Sequence, residues 1–139
     1  MLSSVPEPTG AELAQSFRLR FPEMNLATFD EDVDSMTGSR CGTLIAFSWQ
    51  FREWVQRGNE EVIKRALALV DQLLSESPPV PSGTHALAVG DQFHNSLLAC
   101  FVENIVDRTK EFRALVLPNL GPEVRSHLAQ HDPHSLGHS

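Results

Sequence analysis

The stretch "NEEVIKRALALVDQLLSES", residues 59–77, carries the strongest helical pattern in the chain. Its apolar side chains recur at the three- and four-residue spacing that places them on one face of an α-helix. They are Val62, Ile63, Ala66, Leu67, Leu69, Val70, Leu73 and Leu74. Asn59 is suited to cap this helix, and Glu60 and Glu61 suit the positive end of its dipole. Burial of each Leu or Ile stabilises a fold by roughly 1.5–3 kcal/mol, so this face is expected to lie inside the protein.

Helical patterns continue on both sides of this stretch. Residues 43–58 predict a helix that ends at Gly58, with a core face formed by Leu44, Phe47, Phe51, Trp54 and Val55. After a proline-rich turn at 78–83, a second long helix is predicted from about Thr84 to Arg108. Its buried arc consists of Phe93, Leu97, Leu98, Phe101, Val102 and Ile105. We expect the two long helices, 59–77 and 84–108, to be antiparallel and to bury each other, because the turn between them is short.

The remaining segments are also helical in pattern. Thr9 and Glu12 form a capping box at the start of a helix that Pro22 ends, and the segment 109–117 predicts a short helix ended by Pro118. Pro122 suits the first turn of a last helix. Residues 1–8 are expected to be a loose lead-in and residues 132–139 a loose tail. No segment alternates like a strand, so we predict one all-α domain over 1–139, a helical bundle of about five to seven helices.

The composition excludes several classes of protein. The chain has 139 residues, 41% of them apolar, which is typical of a globular protein and not of a disordered one. Its formal charge is −7, which disfavours nucleic acids and anionic membranes as partners and is compatible with a basic protein partner. No apolar run is long enough to span a membrane, and no signal-peptide pattern opens the chain.

Two cysteines, Cys41 and Cys100, lie far apart in the sequence and outside any CxxC motif. We expect them to be free thiols in a reducing cytosol, which predicts a cytoplasmic location. A disulfide would require a proximity that the sequence does not show.

The sequence carries no recognised catalytic motif. It contains no P-loop, dinucleotide-binding glycine pattern, HExxH or GxSxG, so we expect neither an enzyme nor a cofactor. The acidic run around Asp30, Asp32 and Asp34 resembles a calcium loop, but Ser35 and Cys41 stand where that loop needs Gly and Glu. These acids, together with Glu31, are expected to form a solvated face instead.

Ile45 and Trp49 form a second apolar ridge on the helix at 43–58, beside Arg52, Glu53 and Gln56. One interpretation is that a neighbouring segment covers this ridge. The other is that Trp49 anchors a partner protein or a second copy of the chain, because exposed tryptophans are often interface hot spots.

Four other polar side chains are candidates for a site. His94 and Asn104 interrupt the apolar helix that contains residues 94–105. They are expected to be buried polar groups that bond to nearby carbonyls and fix the packing, with a ligand pocket as the alternative. His127 and His131, four residues apart on the last helix, are weak candidates for metal ligands, and no metal is expected.

The segments "FREWVQRGNEEVIKRALALVDQLL", "FHNSLLACFVENI" and "LGPEVRSHL" resemble small helical bacterial proteins of the immunity type, which are encoded beside polymorphic toxins. The resemblance covers roughly residues 46–128. It implies a HEAT-like or irregular helical bundle without catalytic apparatus, which would bind a cognate toxin and occlude its active site.

A toxin that acts on nucleic acids would present a basic cleft to such a protein. The candidates for contacting it are surface residues chosen on charge and exposure and not transferred from the family: Asp30, Glu31, Asp32, Asp34, Ile45 and Trp49. Two alternatives stay open. The first is a helical ligand-binding or enzymatic bundle that uses His94 and Asn104, and the second is a scaffold subunit that forms a homodimer through Ile45 and Trp49.

Overall fold

The computed structural model describes residues 7–77 and 92–136, and in these ranges it contains seven helical segments and no strand. The prediction of an all-α helical bundle is therefore confirmed. The helices are α1 (Gly10–Arg20), α2 (Leu26–Ser35), α3 (Arg40–Arg57), α4 (Glu60–Glu76), α5 (Phe93–Ser96, Leu97–Val102 and Glu103–Ile105 in succession), α6 (Phe112–Val116, continued by Leu117–Asn119) and α7 (Pro122–His131).

Helix α3 lies at the centre of the bundle and packs against α1, α2, α4 and α5. Its predicted core face is buried, and Phe47 at its middle stacks on Phe17 of α1 with ring centroids 4.0 Å apart. Phe47 also stacks on Phe101 of α5, at 5.5 Å. Aromatic rings in such offset contacts stabilise a core beyond the area that they bury.

The prediction that the two long helices chiefly bury each other is wrong. Helix α5 packs mainly on α3, while α4 packs on α3, α6 and α7. The reason is that α3 is buried over most of its circumference, with Thr43, Ser48 and Gln50 buried alongside its apolar residues. It therefore lies between the two helices that the sequence pattern paired, and the end of α4 still meets the start of α5 through Ser77 and His94.

The helix boundaries follow local capping chemistry. Thr9 and Glu12 form the predicted capping box, and Gly58 ends α3 in the left-handed conformation at φ 70°. Asn59 occupies the cap position of α4, but its side chain makes no capping hydrogen bond. Pro122 opens α7 as predicted, whereas Pro118 lies inside the tight turn Leu117–Asn119 and does not end the helix before it.

The described parts of the predicted lead-in and tail make specific contacts with the bundle. Glu7, assigned to the loose lead-in, pairs with Arg40 at 3.1 Å and accepts the Phe93 backbone N–H at 3.2 Å. In the predicted loose tail, Pro133–Leu136 forms a 3₁₀ turn that contacts α7. The predicted turn at 78–83 and the helical start at 84–91 lie outside the described residues.

The prediction of free thiols is wrong, because Cys41 and Cys100 form a disulfide with their Cα atoms 5.4 Å apart. The packing of α3 on α5 brings together two residues that are 59 positions apart in the sequence. The bond joins the first turn of α3 to the middle of α5.

In the described ranges, no helix combines the length and the apolar character needed to cross a bilayer.

Candidate functional site

Helix α2 carries the four acidic residues predicted to meet a partner, and the structure separates their environments. Asp30 is paired with Arg18 of α1, with Nε and Oδ1 2.7 Å apart. Asp32 is half-buried, and burial, followed by the neighbouring charge of Glu31, raises the pKa of its carboxyl group. Glu31 and Asp34 are exposed, and their carboxylates make no hydrogen bond or ion pair with the described residues. The last two are therefore the acids of α2 best placed to meet another molecule.

The buried Gln50 of α3 fixes the position of α2. Its Oε1 accepts the Asn25 backbone N–H at 2.9 Å, and Asn25 in turn caps α2 by accepting from the Thr28 N–H at 3.1 Å. The start of α2 therefore lies beside the middle of α3, where Trp49 is located. Leu26, the first residue of α2, is 41% exposed.

Trp49 is one of three large apolar residues that are exposed among those described, and 46% of its surface is accessible. Its neighbours on α3, Ser48 and Gln50, are buried, so the indole is carried by a helix that is fixed in the core. Ile45, one turn earlier, is partly buried against the core. The ridge predicted from the sequence is thus exposed at Trp49 and largely covered at Ile45.

Asn104 has a structural role. Its Nδ2 donates to the Cys100 carbonyl at 2.7 Å, and its own carbonyl accepts from Arg52 of α3 at 3.0 Å. The side chain is half-buried, not buried as predicted, but it bonds to a backbone carbonyl in the predicted manner. Asn104 does not line the cleft described below.

His94 has two roles that the sequence analysis had treated as alternatives. Its Nδ1 lies 2.9 Å from the Ser77 hydroxyl oxygen and 3.2 Å from the Ser77 carbonyl oxygen, which ties the start of α5 to the end of α4. The ring is half-buried, not buried, and it also lines a cleft. His94 therefore makes the predicted bond to a backbone carbonyl and also borders a cleft.

This histidine cleft lies between α5 and α7 and encloses about 900 Å³. One wall is apolar, and Leu74, Leu98, Val106 and Leu128 contribute to it. The polar wall has three imidazoles and three carboxylates, from His94, His127, His131, Glu103, Glu123 and Asp132. No lysine or arginine lines the cleft in the part of the chain that the structure describes.

His127 is the central polar residue of the cleft. Its Nε2 is 3.7 Å from Glu103 Oε2, and its ring centroid is 4.6 Å from that of His131. Burial is the main cause that lowers the pKa of His127, and the nearby His131 lowers it further, while Glu103 opposes both. The imidazole is therefore biased toward its neutral form.

The predicted metal candidates His127 and His131 do lie side by side. Within residues 7–77 and 92–136, however, no group of three or more His, Cys, Asp or Glu side chains is arranged to hold a metal ion. Structural metal sites usually need four such ligands.

Sequence reasoning missed two elements of this geometry. It did not identify Gln50 as the buried residue that holds α2 in place, and it did not link Glu103 to His127. The spacing of His127 and His131 was a local signal, but their meeting with His94 and Glu103 depends on how α5 and α7 pack.

No protein-family model, curated protein or solved structure matches the chain. The resemblance to immunity proteins and the HEAT-like arrangement therefore stay predictions.

Proposed function

We propose that this protein is a non-catalytic protein-binding module whose contact surface is centred on Trp49. The observation that supports this proposal most is the exposure of that indole, 46%, at the middle of the central helix of the bundle. An exposed tryptophan on a rigid element loses little conformational entropy when a partner covers it, and it buries a large area.

The surroundings of Trp49 supply the second component of a binding surface. The Gln50–Asn25 hydrogen bonds attach the start of α2 to the residue that follows Trp49, and further along α2 the carboxylates of Glu31 and Asp34 are exposed. An apolar anchor on α3 and negative charge on the helix packed against it suit a basic partner, because the charges accelerate encounter while the anchor slows dissociation.

Within this proposal, the resemblance to immunity proteins implies that the partner is a toxin. The protein would bind a cognate toxin with a basic active-site cleft and occlude it, without turnover and without a cofactor. The charge of −7 supports a basic protein partner and disfavours nucleic acid or an anionic membrane.

The test uses the protein encoded by the neighbouring gene, purified and titrated with this chain. We expect a stoichiometric complex in which the neighbour's activity is lost. Trp49→Ala should weaken that complex by about 30-fold, the effect of losing an interface hot spot. The matched control is Leu19→Ala, because Leu19 is the most exposed large apolar residue of the described chain, at 73%, and lies on α1.

Equal weakening by Trp49→Ala and Leu19→Ala would contradict a surface centred on Trp49. A second outcome would favour the scaffold alternative. In it, the molar mass of the protein rises to that of a dimer as its concentration increases, Trp49→Ala stays a monomer, and neither binds the neighbouring protein. The first result would replace the proposed surface, and the second would keep the surface and replace the partner with a second copy of the chain.

A ligand-binding bundle is the second candidate function, and one observation favours it. His94 lines a cleft of about 900 Å³, a volume within the range of small-molecule sites. The other residue of that hypothesis, Asn104, is bonded elsewhere. The candidate polar groups are therefore His94, His127 and Glu103, together with the Ser77 hydroxyl, which lies 2.9 Å from His94 Nδ1.

The cellular compartment is also a proposal. A cytoplasmic location was predicted from free thiols, and the Cys41–Cys100 disulfide instead favours an oxidising compartment. Alkylation of the cysteines in intact native cells distinguishes the two locations. Modification of both cysteines without added reductant indicates the cytoplasm, and protection of both indicates an oxidising location.

A further inference from the structure

The Cys41–Cys100 disulfide joins two cysteines that lie in unlike surroundings. Cys41 is the second residue of α3 and is only partly buried, whereas Cys100 lies within α5 and has 8% of its surface exposed. We propose that this bond is a site of reversible thiol–disulfide exchange, in which a small thiol such as glutathione attacks the Cys41 sulfur and Cys100 acts as the resolving thiol. The proposal does not depend on the Trp49 surface and goes beyond it.

The position of Cys41 in α3 favours its thiolate once the bond is open. The helix is 18 residues long, Ser39 occupies its cap position, and no acidic residue lies in its first turn. The N-terminal end of a helix carries a partial positive charge, which stabilises an anion in the first turn. Cysteines in such positions are reactive, because the thiolate is the form that attacks a disulfide. Cys41 is therefore both the more accessible and the more reactive member of the pair.

Cys100 has the surroundings of a resolving thiol. It is buried in the π-helical segment of α5, and its backbone carbonyl accepts from Asn104 Nδ2 at 2.7 Å. The next residue, Phe101, stacks on Phe47 of α3 with ring centroids 5.5 Å apart. A thiol in solution therefore has poor access to the Cys100 sulfur, while packing keeps this part of α5 against α3.

The reduction proceeds in two balanced steps. The thiolate of one glutathione attacks the Cys41 sulfur and forms a mixed disulfide there, and the electron pair of the broken bond leaves on the Cys100 sulfur, which takes up a proton. A second glutathione thiolate attacks the glutathione sulfur of the mixed disulfide and releases the Cys41 thiolate. The protein gains two thiols, and two glutathiones are oxidised to glutathione disulfide. The reverse steps re-form the protein disulfide.

Non-covalent contacts fasten α3 to α5 on both sides of the disulfide. On one side Arg40 pairs with Glu7, and its guanidinium carbon lies 5.9 Å from the ring centroid of Phe93, which opens α5. On the other side Arg52 donates to the Asn104 carbonyl at 3.0 Å. Reduction should therefore loosen α5 without unfolding the chain. Two thiols that stay close together re-form their bond readily, because the closing step is intramolecular.

The first experiment follows the wild-type chain in native buffer. The oxidised protein is incubated with reduced glutathione and quenched with acid, and the modified cysteines are assigned by mass spectrometry of its peptides. We expect the bond to open without denaturant and glutathione to occupy Cys41 at least about fivefold more often than Cys100. Exchange into glutathione disulfide should then restore the bond. A bond that opens only in denaturant, or at least as much glutathione on Cys100 as on Cys41, would overturn the proposal.

Two single variants compare the sulfurs directly. Cys100→Ala retains only Cys41, and Cys41→Ala retains only Cys100. In native buffer, glutathione disulfide should modify Cys100→Ala at least about tenfold faster than Cys41→Ala. In denaturant the two rates should agree within about twofold, because the helix end and the burial are both lost. Equal rates in the two folded variants contradict the role given to Cys41. If either variant does not fold, the assignment of glutathione in the wild-type chain decides.

The reduced wild-type chain provides the last measurement. Its far-UV circular dichroism should keep the helical signal of the oxidised chain, and its disulfide should re-form in glutathione disulfide at least about tenfold faster in native buffer than in denaturant. Loss of the helical signal on reduction would show that the bond is needed to keep the chain folded, and it would overturn the proposal of reversible exchange. Equal rates of re-formation in the two solvents would do the same.

Discussion

Asp71 and Gly121 form the joint between α4 and α7. The Asp71 carboxylate accepts the backbone N–H groups of Glu123 and Val124, at 2.9 and 3.1 Å, so it caps α7 from a different helix. A Cβ atom at position 121 would lie 2.3–2.6 Å from the carboxyl atoms of Asp71. The glycine of the Leu-Gly-Pro step at 120–122 is thus explained by the space that this cap occupies.

Gly121→Ala should therefore destabilise the protein by about 1–2 kcal/mol, because the new methyl group displaces a capping carboxylate. The measurement is the midpoint of denaturant unfolding. In an Asp71→Ala background, which lacks the cap, the same Gly121→Ala change should cost much less. A cost for Gly121→Ala that is equal in both backgrounds would show that the cap is not the reason for glycine.

His127 should make folding stability depend on pH with a defined sign. Its pKa in the folded protein is lower than its ordinary value of 6.5, so below that value the unfolded chain binds more protons than the folded one. This contribution to stability is complete above pH 6.5 and is lost as the pH falls through the lowered pKa.

Replacing His127 by Gln should remove this part of the pH dependence. The measurement is the free energy of unfolding at about pH 7.5 and about pH 5.5 in both proteins. We expect wild type to lose more stability than His127→Gln on acidification. In His131→Gln the loss should be smaller than in wild type, because one cause of the lowered pKa is gone. If wild type loses no more stability on acidification than His127→Gln does, the sign that we derive is contradicted.

At the scale of the element, α5 shows how far a periodic pattern predicts structure. The apolar arc was largely correct, since Phe93, Leu97 and Phe101 are buried. Ser96, which was not among the predicted buried residues, is only 3% exposed. A helical wheel assumes 3.6 residues per turn, whereas Leu97–Val102 is π-helical and has wider turns. One wheel cannot describe both ends of such a helix.

The disulfide could not be predicted from the sequence, because it depends on how α3 packs against α5. Its removal in a Cys41→Ala, Cys100→Ala double variant should cost roughly 4 kcal/mol by the loop-entropy relation for a closed loop of this length. The measurement is the denaturant midpoint with and without reductant. Reductant should lower the midpoint of wild type and leave that of the variant unchanged. A wild-type midpoint that is insensitive to complete reduction would contradict this contribution.

At the scale of the whole molecule, the sequence predicted the fold better than the site. Helix faces are local patterns, and most of the predicted core residues of α3 and α4 are buried. The exposure of Trp49 and the meeting of His94 with His127 depend on which helices become neighbours. The sequence pattern predicted that α4 and α5 pack on each other. Because α3 lies at the centre of the bundle, α5 packs mainly on α3 instead, and the histidine cleft lies between α5 and α7.

The distribution of charge over the molecule leads to a last prediction, which rests on the proposed partner. With a formal charge of −7, association with a basic protein should slow strongly as salt rises from about 0.02 M to about 0.5 M, while dissociation changes little. Neutralising Glu31 and Asp34 on α2 should lower the association rate constant about two- to fivefold at low salt. Trp49→Ala should act mainly on the dissociation rate constant.

Stopped-flow kinetics with the neighbouring gene's product separates these effects. The matched control neutralises Glu76 and Glu111, two exposed acids carried by neither α2 nor α3, and changes net charge by the same amount. If that control slows association as much as the Glu31 and Asp34 variant, the long-range field of the whole molecule steers the encounter and α2 does not. A larger effect of the α2 variant places the acidic helix at the edge of the encounter surface, beside the indole that holds the complex together.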